Sequence, residues 1–458
     1  MSDQEILVSP PRLPDRWPRP MQIRLTPRDD STNGWIDILP PPAAAKRLSG
    51  EKRAHVAVIG AGFAGLAAAR RAAELDPDRR VVLIEAQRIG SCSSGRNSGF
   101  IIDLPHEAES MSEEALGHQQ RVLRLNRFAI KRLKQLVTAH GIACEWSESG
   151  MYRGAVTARA ARFLDPYVKM LGRLGISHER VGRAELKARL GTELYSEAVH
   201  TPGTILVQPA ALVRGLAANL PANVDLYEES PVVRLEPGSG IRIDTPEGAV
   251  RADKLILAVN GLLPAFGFMV GRLINLGLWA SLSRELSTAE LAQLGRESTW
   301  GMTPADARGG ITMRLLASRR LLVRARTYAE PDYRPHTEQR ERMRAVHRRI
   351  LERRFPFLAP LDITHTWTGF VSKTWNAAPA FGELAPNIYS ACVQNGVGLA
   401  RGTYQGELAA DLAFGNVHAL VRDMLAHDRP SRLPPEPLAL WGARLRIAWL
   451  EFLSRGER

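Results

Sequence analysis

The sequence AHVAVIGAGFAG, residues 54–65, joins a β-branched apolar run to a glycine-rich turn. Such a run, bounded by glycine, is typical of a buried strand. The residues FAGLAAARRAAEL (63–75) are rich in Ala, Leu and Arg and predict a helix, and RRVVLIEA (79–86) predicts a second strand. This order of strand, glycine turn, helix and strand indicates a βαβ unit within a parallel sheet.

The turn has the spacing Gly60-x-Gly62-x-x-Gly65, and Glu85 follows Gly65 by 20 residues. The first glycine permits the tight turn, the second permits close approach of a diphosphate, and the third lets the helix pack on the strand. The helix N-terminus favours the diphosphate, and the acid accepts hydrogen bonds from ribose hydroxyls. The pattern predicts a dinucleotide site made by Gly60, Ala61, Gly62, Phe63, Ala64, Gly65 and Glu85.

Two further stretches favour FAD over NAD. RIGSCSSGRNSGF (88–100) is small, polar and glycine-rich, and is suited to lie against a flat ligand. An NAD-binding unit would normally continue directly into another βα unit. NGVGL (395–399) opens a second helix, whose N-terminus would stabilise negative charge such as that on reduced flavin.

Composition narrows the class of protein to which the chain can belong. The chain has 458 residues, of which 45% are hydrophobic and 24% are charged, so it is expected to fold around a sizeable core. We expect no membrane-spanning helix and no secretory signal. Its three cysteines form no metal or disulfide pattern, which favours a cytoplasmic protein without a bound metal.

The net charge of +13 comes mainly from arginine, since only 8 of the 61 basic residues are lysine. Arg, Ala, Leu and Pro are all abundant, which is typical of GC-rich coding sequence. No zinc finger and no aromatic RNA-binding strand accompanies the charge, so no nucleic-acid partner is expected.

Changes of pattern along the chain predict seven segments. They are a Pro-rich N-terminal arm (1–53), three parts of an FAD-binding domain (54–112, 206–265 and 366–420), a helical and substrate-domain segment (113–205), a substrate domain (266–365) and a C-terminal tail (421–458). Trp17 and Trp35 favour an ordered arm over a loose tail, because disordered segments rarely contain tryptophan.

The chain resembles the FAD-dependent D-amino-acid oxidase, glycine oxidase and sarcosine oxidase superfamily, and within it the bacterial γ-glutamylputrescine oxidoreductase group. The resemblance covers roughly residues 50–416 and is carried by VAVIGAGFAGLAAA (56–69), SSGRNSGF (93–100), VRADKLILAVNG (250–261) and the run from Trp367 to Leu412. It implies an α/β fold, with a Rossmann-like FAD-binding domain of the glutathione-reductase type interleaved with a mixed-sheet α+β substrate domain.

The resemblance also implies roles for particular residues. Gly60 to Gly65 would hold the FAD diphosphate, and Glu85 would hold the adenosine ribose. The other cofactor residues would be Ala86, Arg88 and Val232 near the adenine, Ala258 and Asn260 near the diphosphate, Ser94, Gly95, Arg96, Asn97, Ser98 and Gly99 along the flavin, and Gly396, Val397, Gly398 and Leu399 at its pyrimidine edge.

Non-covalent FAD is expected. Some members of the superfamily attach flavin through a cysteine before the closing motif, whereas FVSKTWNAAPAFG (370–382) contains none. Cys392 is interpreted as a small buried residue. Cys92 lies in the flavin-proximal loop, where a covalent link is the minor alternative.

Candidates for the substrate side are fewer. His106, Lys373 and Trp375 are the predicted catalytic residues, and Lys373 would assist reaction with oxygen. Arg314 and Arg324 are predicted to bind a substrate carboxylate, because guanidinium matches its geometry. Trp367 is the third predicted substrate contact.

The resemblance implies oxidation of the C–N bond of an amine or amino acid, with hydride passed to flavin N5 and the imine then hydrolysed. Oxygen or a quinone would be the electron acceptor. Two alternatives stay open, namely a flavoenzyme acting on a modified tRNA nucleoside and a non-catalytic flavin-binding redox or sensor protein. The substrate and the oligomeric state are not predicted.

The basic amphipathic tail LALWGARLRIAWLEFLSR (438–455) is expected to pack on its own protein. Weak contact with a membrane surface, through Leu438, Trp441, Leu445, Trp449 and Phe452, is the alternative.

Overall fold

The computed structural model describes residues 20–105, 112–238, 240–306 and 309–458. The strands are β1 (Met21–Gln22), β2 (Gly50–Ile59), β3 (Val81–Ile84), β4 (Phe100–Ile101), β5 (Met151–Ala155), β6 (Glu179–Gly182), β7 (Glu197–Thr201), β8 (Ile205–Leu206), β9 (Val224–Tyr227), β10 (Arg234–Glu236), β11 (Ile241–Asp244), β12 (Gly248–Leu257), β13 (Ile274–Ser283), β14 (Trp300–Pro304), β15 (Thr312–Leu315), β16 (Leu321–Ala329), β17 (Ile363–Lys373), β18 (Ala380–Ala385) and β19 (Ile388–Cys392).

The α-helices are α1 (Gly34–Asp37), α2 (Phe63–Leu75), α3 (Ser93–Arg96), α4 (Glu113–His140), α5 (Ala158–Ala161), α6 (Leu164–Arg173), α7 (Arg183–Leu190), α8 (Pro209–Ala218), α9 (Thr288–Leu291), α10 (Arg340–Arg354), α11 (Gly398–Ala413), α12 (Ala419–Leu425) and α13 (Leu438–Leu453). In the part of the chain that the structure describes, no helix is both long enough and apolar enough to cross a bilayer.

The first sheet contains the predicted βαβ unit. Strands β9, β3, β2, β12 and β19 pair in parallel in that order. The antiparallel strands β1, β10 and β11 join beside the first half of β12, and β18 pairs with β19. Apolar side chains of β2 and β3 are buried on both faces, which is the pattern expected of a covered parallel sheet.

Helices α2 and α11 lie side by side on one face of this sheet, with their backbones in close contact. A Cβ atom at Gly406 would lie 2.0 Å from the Ala64 carbonyl oxygen, so only glycine permits this approach. The alanines of α2 pack against the sheet and α11 within one buried core. The two helices therefore begin at the same edge of the sheet.

The second sheet has the order β17-β13-β16-β15-β14-β5-β7-β6 and is antiparallel except where β14 pairs with β5. It is the mixed sheet predicted for the substrate domain. The whole of β17 belongs to it, so the domain boundary predicted at residue 366 falls within a strand of this sheet and not between domains.

The described part of the N-terminal arm, residues 20–53, packs against the rest of the protein. Trp35 is completely buried, donates through Nε1 to the Asn97 carbonyl 2.8 Å away, and packs edge-on against Trp367. Trp17 lies outside the described residues. The arm thus joins the two sheets at the loop that follows β3.

Candidate active site

A cavity lies where the carboxyl ends of β2, β3 and β12 meet the N-terminus of α2, the position at which open α/β sheets bind ligands. The turn from β2 into α2 depends on two glycines. Gly60 has φ of +96°, and a Cβ atom at Gly65 would lie 1.7 Å from the Gly60 carbonyl oxygen. These glycines place the free N–H groups of the α2 N-terminus against the cavity.

Glu85, at the end of β3, faces this turn. Its two carboxylate oxygens accept the N–H groups of Ala61 at 2.8 Å and Gln87 at 3.0 Å. Burial raises the pKa of the Glu85 carboxyl group above its usual value, and these hydrogen bonds offset only part of that rise. A carboxylate has about four acceptor positions, so it retains room for ribose hydroxyls.

The loop from residue 88 to 100 forms one side of the cavity. Arg88 lines the cavity, and its guanidinium lies 3.4 Å from the Glu228 carboxylate. Ser94 Oγ accepts the Phe63 N–H at 3.2 Å and lies 2.5 Å from the position that a Cβ atom at Gly62 would take. Asn97 lines the cavity beyond them.

The opposite wall comes from the second sheet. Phe370, Val371 and Ser372 of β17 line the cavity, together with Tyr333 from the loop after β16. The Tyr333 hydroxyl and Ser372 Oγ are hydrogen-bonded to each other, and Ser372 donates to Asn275 at 2.7 Å. Burial raises the pKa of Tyr333, so its hydroxyl is neutral at physiological pH.

Gly396 and Gly398 close the cavity at the start of α11. Asn395 holds this turn, because its amide oxygen accepts the Thr374 N–H at 2.9 Å and its amide nitrogen donates to the Ala377 carbonyl at 2.9 Å. The second helix N-terminus predicted from sequence therefore faces the same cavity as the first.

Fifteen of the residues predicted to bind cofactor line the cavity. They are Gly60, Ala61, Gly62, Phe63, Ala64, Glu85, Ala86, Arg88, Ser94, Asn97, Val232, Ala258, Asn260, Gly396 and Gly398. The remaining seven (Gly65, Gly95, Arg96, Ser98, Gly99, Val397 and Leu399) are not among the residues that line it.

Arg96 was predicted to lie along the flavin, but it does not line the cavity. Its buried guanidinium donates to the Ser91 and Thr368 carbonyls and pairs with Asp29 and Asp30 of the arm. It therefore joins the arm to β17 and does not reach the cavity.

The two predicted carboxylate-binding arginines also point elsewhere. Arg314 is 2% exposed, and its Nη1 donates to the carbonyls of Ser98, Gly99 and Val207. Arg324 donates to Thr312 Oγ1 at 2.6 Å, away from the cavity. Both side chains satisfy groups of the protein itself, so neither is placed to hold a substrate carboxylate.

The predicted tryptophans do not line the cavity either. Trp367 is completely buried and donates to the Arg96 carbonyl at 3.1 Å. Trp375 is 66% exposed on the outer surface, with the Arg446 guanidinium 5.7 Å from its ring. Trp367 is therefore a core residue and not a substrate contact, and Trp375 is a surface residue and not a catalytic one.

Of the other two predicted catalytic residues, His106 lies outside the described residues. Lys373 is half-buried at the end of β17, and its Cε lies 3.7 Å from the position that a Cβ of Gly396 would take. It therefore borders the helix N-terminus at the cavity.

Several lining residues were missed from the sequence. The arm contributes Ile23, Leu25, Thr26 and Pro27, and the second sheet contributes Tyr333, Phe370, Val371 and Ser372. The arm residues carry no local motif. Strand alternation could not have identified the three β17 residues, because they are consecutive and successive side chains of a strand point to opposite faces.

The cysteines are poor candidates for a covalent link. Cys92 lines the cavity, and burial raises the pKa of its thiol. Cys392 is buried, donates to the Leu257 carbonyl at 3.2 Å, and has a pKa raised to about 11 by burial. Protonated thiols are weakly nucleophilic, and non-covalent FAD stays a prediction.

The cavity fits FAD. The glycine turn leaves space for a diphosphate, two helix N-termini offer N–H groups and positive potential, and Glu85 offers acceptors for ribose. Asn260 lines the cavity, and its Oδ1 is buried without a hydrogen-bond partner among the described residues. Such an oxygen requires a donor, which a bound ligand would supply. Among the described residues no cluster of potential metal ligands occurs.

The parallel sheet, the glycine turn and the shared cavity define a dinucleotide-binding oxidoreductase fold. The family model described as FAD dependent oxidoreductase (DAO) matches residues 55–412, and the chain belongs to this family. The protein is thus an FAD-dependent oxidoreductase, as the sequence predicted.

The chain is similar to curated and solved proteins over most of its length. It is 28% identical over 410 residues to the probable oxidoreductase OrdL of Rhizobium meliloti, covering 88% of this chain and 91% of that protein. It is 26% identical over 372 residues to the gamma-glutamylputrescine oxidoreductase of Escherichia coli, covering 79% and 84%. The fold is that of glycine oxidase from Geobacillus kaustophilus, with a TM-score of 0.67, 21% identity, and coverage of 80% of this chain and 96% of that one.

Proposed function

We propose that this protein oxidises the C–N bond of a small amine or amino acid, and that the substrate lies between the FAD-binding sheet and the β17 wall. Relatives named as a glycine oxidase and a gamma-glutamylputrescine oxidoreductase support this class of reaction. The observation that carries the proposal is the wall of Tyr333, Phe370, Val371 and Ser372 facing the cofactor turn across one cavity.

The wall favours an uncharged amine. FAD, when bound, supplies the acceptor for the hydride that leaves the carbon beside nitrogen. That carbon gives up hydride only if the nitrogen lone pair is free. No carboxylate lies among the described residues of the wall, and a buried site without one disfavours an ammonium ion.

Within the proposed class, the cavity favours an amine over an α-amino acid. Arg88 is the one arginine among the described lining residues, and it pairs with Glu228, 3.4 Å away, and not with the β17 wall. Arg314 and Arg324 are held by other groups. The wall thus supplies hydroxyl, apolar and aromatic groups, which suit an alkyl amine.

Lys373 is proposed to act on the acceptor side. Oxygen or a quinone must accept the electrons in each cycle, and a cation beside the flavin stabilises the negative charge that develops on reduced oxygen. The position of the lysine beside Gly396 supports this role. Lys373→Met should slow reoxidation by oxygen about tenfold or more and leave anaerobic reduction unchanged.

The proposal is tested by mixing the FAD-loaded protein anaerobically with pooled primary and secondary alkyl amines and, separately, with α-amino acids. Bleaching of the visible flavin band by an amine pool supports it, and splitting the pool identifies the substrate. Phe370→Ala should slow bleaching. Phe381→Ala, which alters a half-buried phenylalanine of β18 in the first sheet that does not line the cavity, should not.

Two results would contradict the proposal. Flavin that no amine or amino acid reduces would favour a redox or sensor role without turnover. Tight, steeply salt-dependent binding of tRNA would favour the modified-nucleoside alternative.

A further inference from the structure

Helix α13 presents an apolar face to solvent. Its large side chains Leu438, Trp441, Leu445, Trp449 and Phe452 are spaced three or four residues apart and are 58%, 57%, 73%, 60% and 53% exposed. Trp375, 66% exposed, lies beside Arg446 of the same helix. We call these six residues the tryptophan face. Contiguous exposed apolar surface of this kind marks an interaction site.

The helix is fixed with this face outward. Its opposite side, including Leu440, Ile447 and Leu450, is half-buried against the protein. Glu451 pairs with Arg326 at 2.6 Å, and Glu457 accepts the Val156 and Thr157 N–H groups at 3.0 and 2.9 Å. Rotating the helix to bury the tryptophans would break these contacts, so the face has no partner within the described chain.

The surroundings of the face are cationic. Arg444, Arg446 and Arg455 are exposed around it, and the Arg455 guanidinium lies 4.8 Å from the Phe452 ring. The acids of this segment are mostly engaged, since Glu451 is paired and Glu457 is buried. Positive charge therefore surrounds the apolar strip.

We propose that the tryptophan face docks this protein on the surface of a bilayer that contains anionic lipid. Tryptophan is enriched at the level of lipid headgroups, where its ring is in apolar surroundings and its N–H is hydrated. An amphipathic helix lies in that plane with arginines reaching the headgroups. The charge argues against a second copy as the occupant, because a twofold contact would bring the same arginines together.

The face lies close to the active-site cavity. Trp375 is three residues beyond Ser372, which lines the cavity, and Thr374 between them is bonded to Asn395 beside the closing glycines. Docking would therefore hold this side of the cavity near the lipid surface. The inference itself does not depend on the substrate proposed above.

The test uses the full-length, FAD-loaded protein with vesicles of phosphatidylglycerol and phosphatidylcholine in equal parts, and with vesicles of phosphatidylcholine alone. Co-sedimentation with the anionic vesicles should exceed that with neutral vesicles and weaken as salt rises. Trp441→Ser/Trp449→Ser should lower the partition coefficient about tenfold or more, and Trp441→Phe/Trp449→Phe should retain most of it.

The matched control is Val417→Ser/Leu425→Ser, which removes two other exposed apolar side chains, 44% and 46% exposed, from outside α13. It should bind vesicles as the unaltered protein does, and all variants should retain flavin absorbance. Absence of binding to the anionic vesicles, or equal loss in the control, would overturn the proposal. A dimer in solution that the serine pair dissociates would also overturn it, in favour of a second copy.

Discussion

At the scale of single residues, Glu85 has two tasks that the sequence pattern does not separate. It is placed to bind ribose, and it also accepts the Ala61 and Gln87 N–H groups that shape the cofactor turn. Removing it leaves two N–H groups unsatisfied, at about 1–3 kcal/mol each where water is excluded.

Glu85→Ala should therefore weaken FAD binding about thirtyfold or more and lower the melting temperature of the apoprotein. Fluorescence titration with FAD and thermal unfolding without it measure the two effects. Glu383→Ala is the control, because this exposed glutamate also accepts one backbone N–H, from Asn387 at 3.0 Å. An unchanged apoprotein melting temperature would mean that Glu85 acts on the ligand alone.

His347 is a buried residue that predicts a pH dependence. Its ring is completely buried, with Nδ1 2.7 Å from Ser281 Oγ and Nε2 3.2 Å from the Ala325 carbonyl oxygen. Burial lowers the pKa of His347 to about 4. The unfolded chain binds a proton near pH 6.5 and the folded protein does not. The contribution of neutral His347 to the free energy of unfolding is therefore complete above about pH 6.5 and is lost as the pH falls towards 4.

Between pH 7 and 4.5 this histidine should account for a loss of about 2 to 3 kcal/mol in the free energy of unfolding. His347→Gln should reduce that loss, measured by urea denaturation at both pH values. His140→Gln, at an exposed position, should leave it unchanged. An unaltered pH dependence in the His347 variant would contradict burial as the cause.

At the scale of elements, the N-terminal arm contributes to the cofactor site although it lies outside the residues matched by the family model. Asp29 and Asp30 pair with Arg96, which is buried against β17. Removing the partners of a buried charge costs about 3–5 kcal/mol, because the charge remains without compensation.

Asp29→Asn/Asp30→Asn should thus lower the free energy of unfolding by about 3 kcal/mol and speed release of FAD. Denaturant titration and stopped-flow flavin fluorescence measure these quantities. Glu51→Gln/Glu247→Gln removes two exposed partners of surface arginines and should cost at most about 1 kcal/mol. Equal effects of the two pairs would show that the arm does not hold the site.

The elements also show what sequence patterns determine. The βαβ unit was predicted correctly, because apolar runs and glycine spacing are local properties. Tyr333 was not predicted, because it reaches the wall through a left-handed backbone, with φ of +56°, and a hydrogen bond to another strand. Arg314 was misassigned because its type suits a carboxylate, whereas the fold brings three carbonyls to it.

At the scale of the whole molecule, the cavity has walls from both sheets and from the arm, so ligand binding should couple them. The residues predicted to lie near the adenosine, Glu85, Arg88 and Val232, line one part of the cavity, and Tyr333 and β17 line another. A ligand that binds only the folded state stabilises it by an amount that grows with the logarithm of the ratio of ligand concentration to dissociation constant. One that spans the cavity contacts both sheets, whereas a shorter one contacts only the first.

FAD should accordingly raise the melting temperature of the apoprotein well above the value with ADP, even when each is present at about 100 times its own dissociation constant. At that ratio simple mass action gives each ligand the same stabilisation, about 2.7 kcal/mol. Additional stabilisation by FAD would mean that the two sheets unfold as one unit only when a single ligand contacts both walls of the cavity. Protease digestion gives an independent readout, because β17 and α10 should be protected by FAD and not by ADP. Equal melting temperatures and equal digestion with the two ligands would mean that the two sheets already unfold together without a bridging ligand.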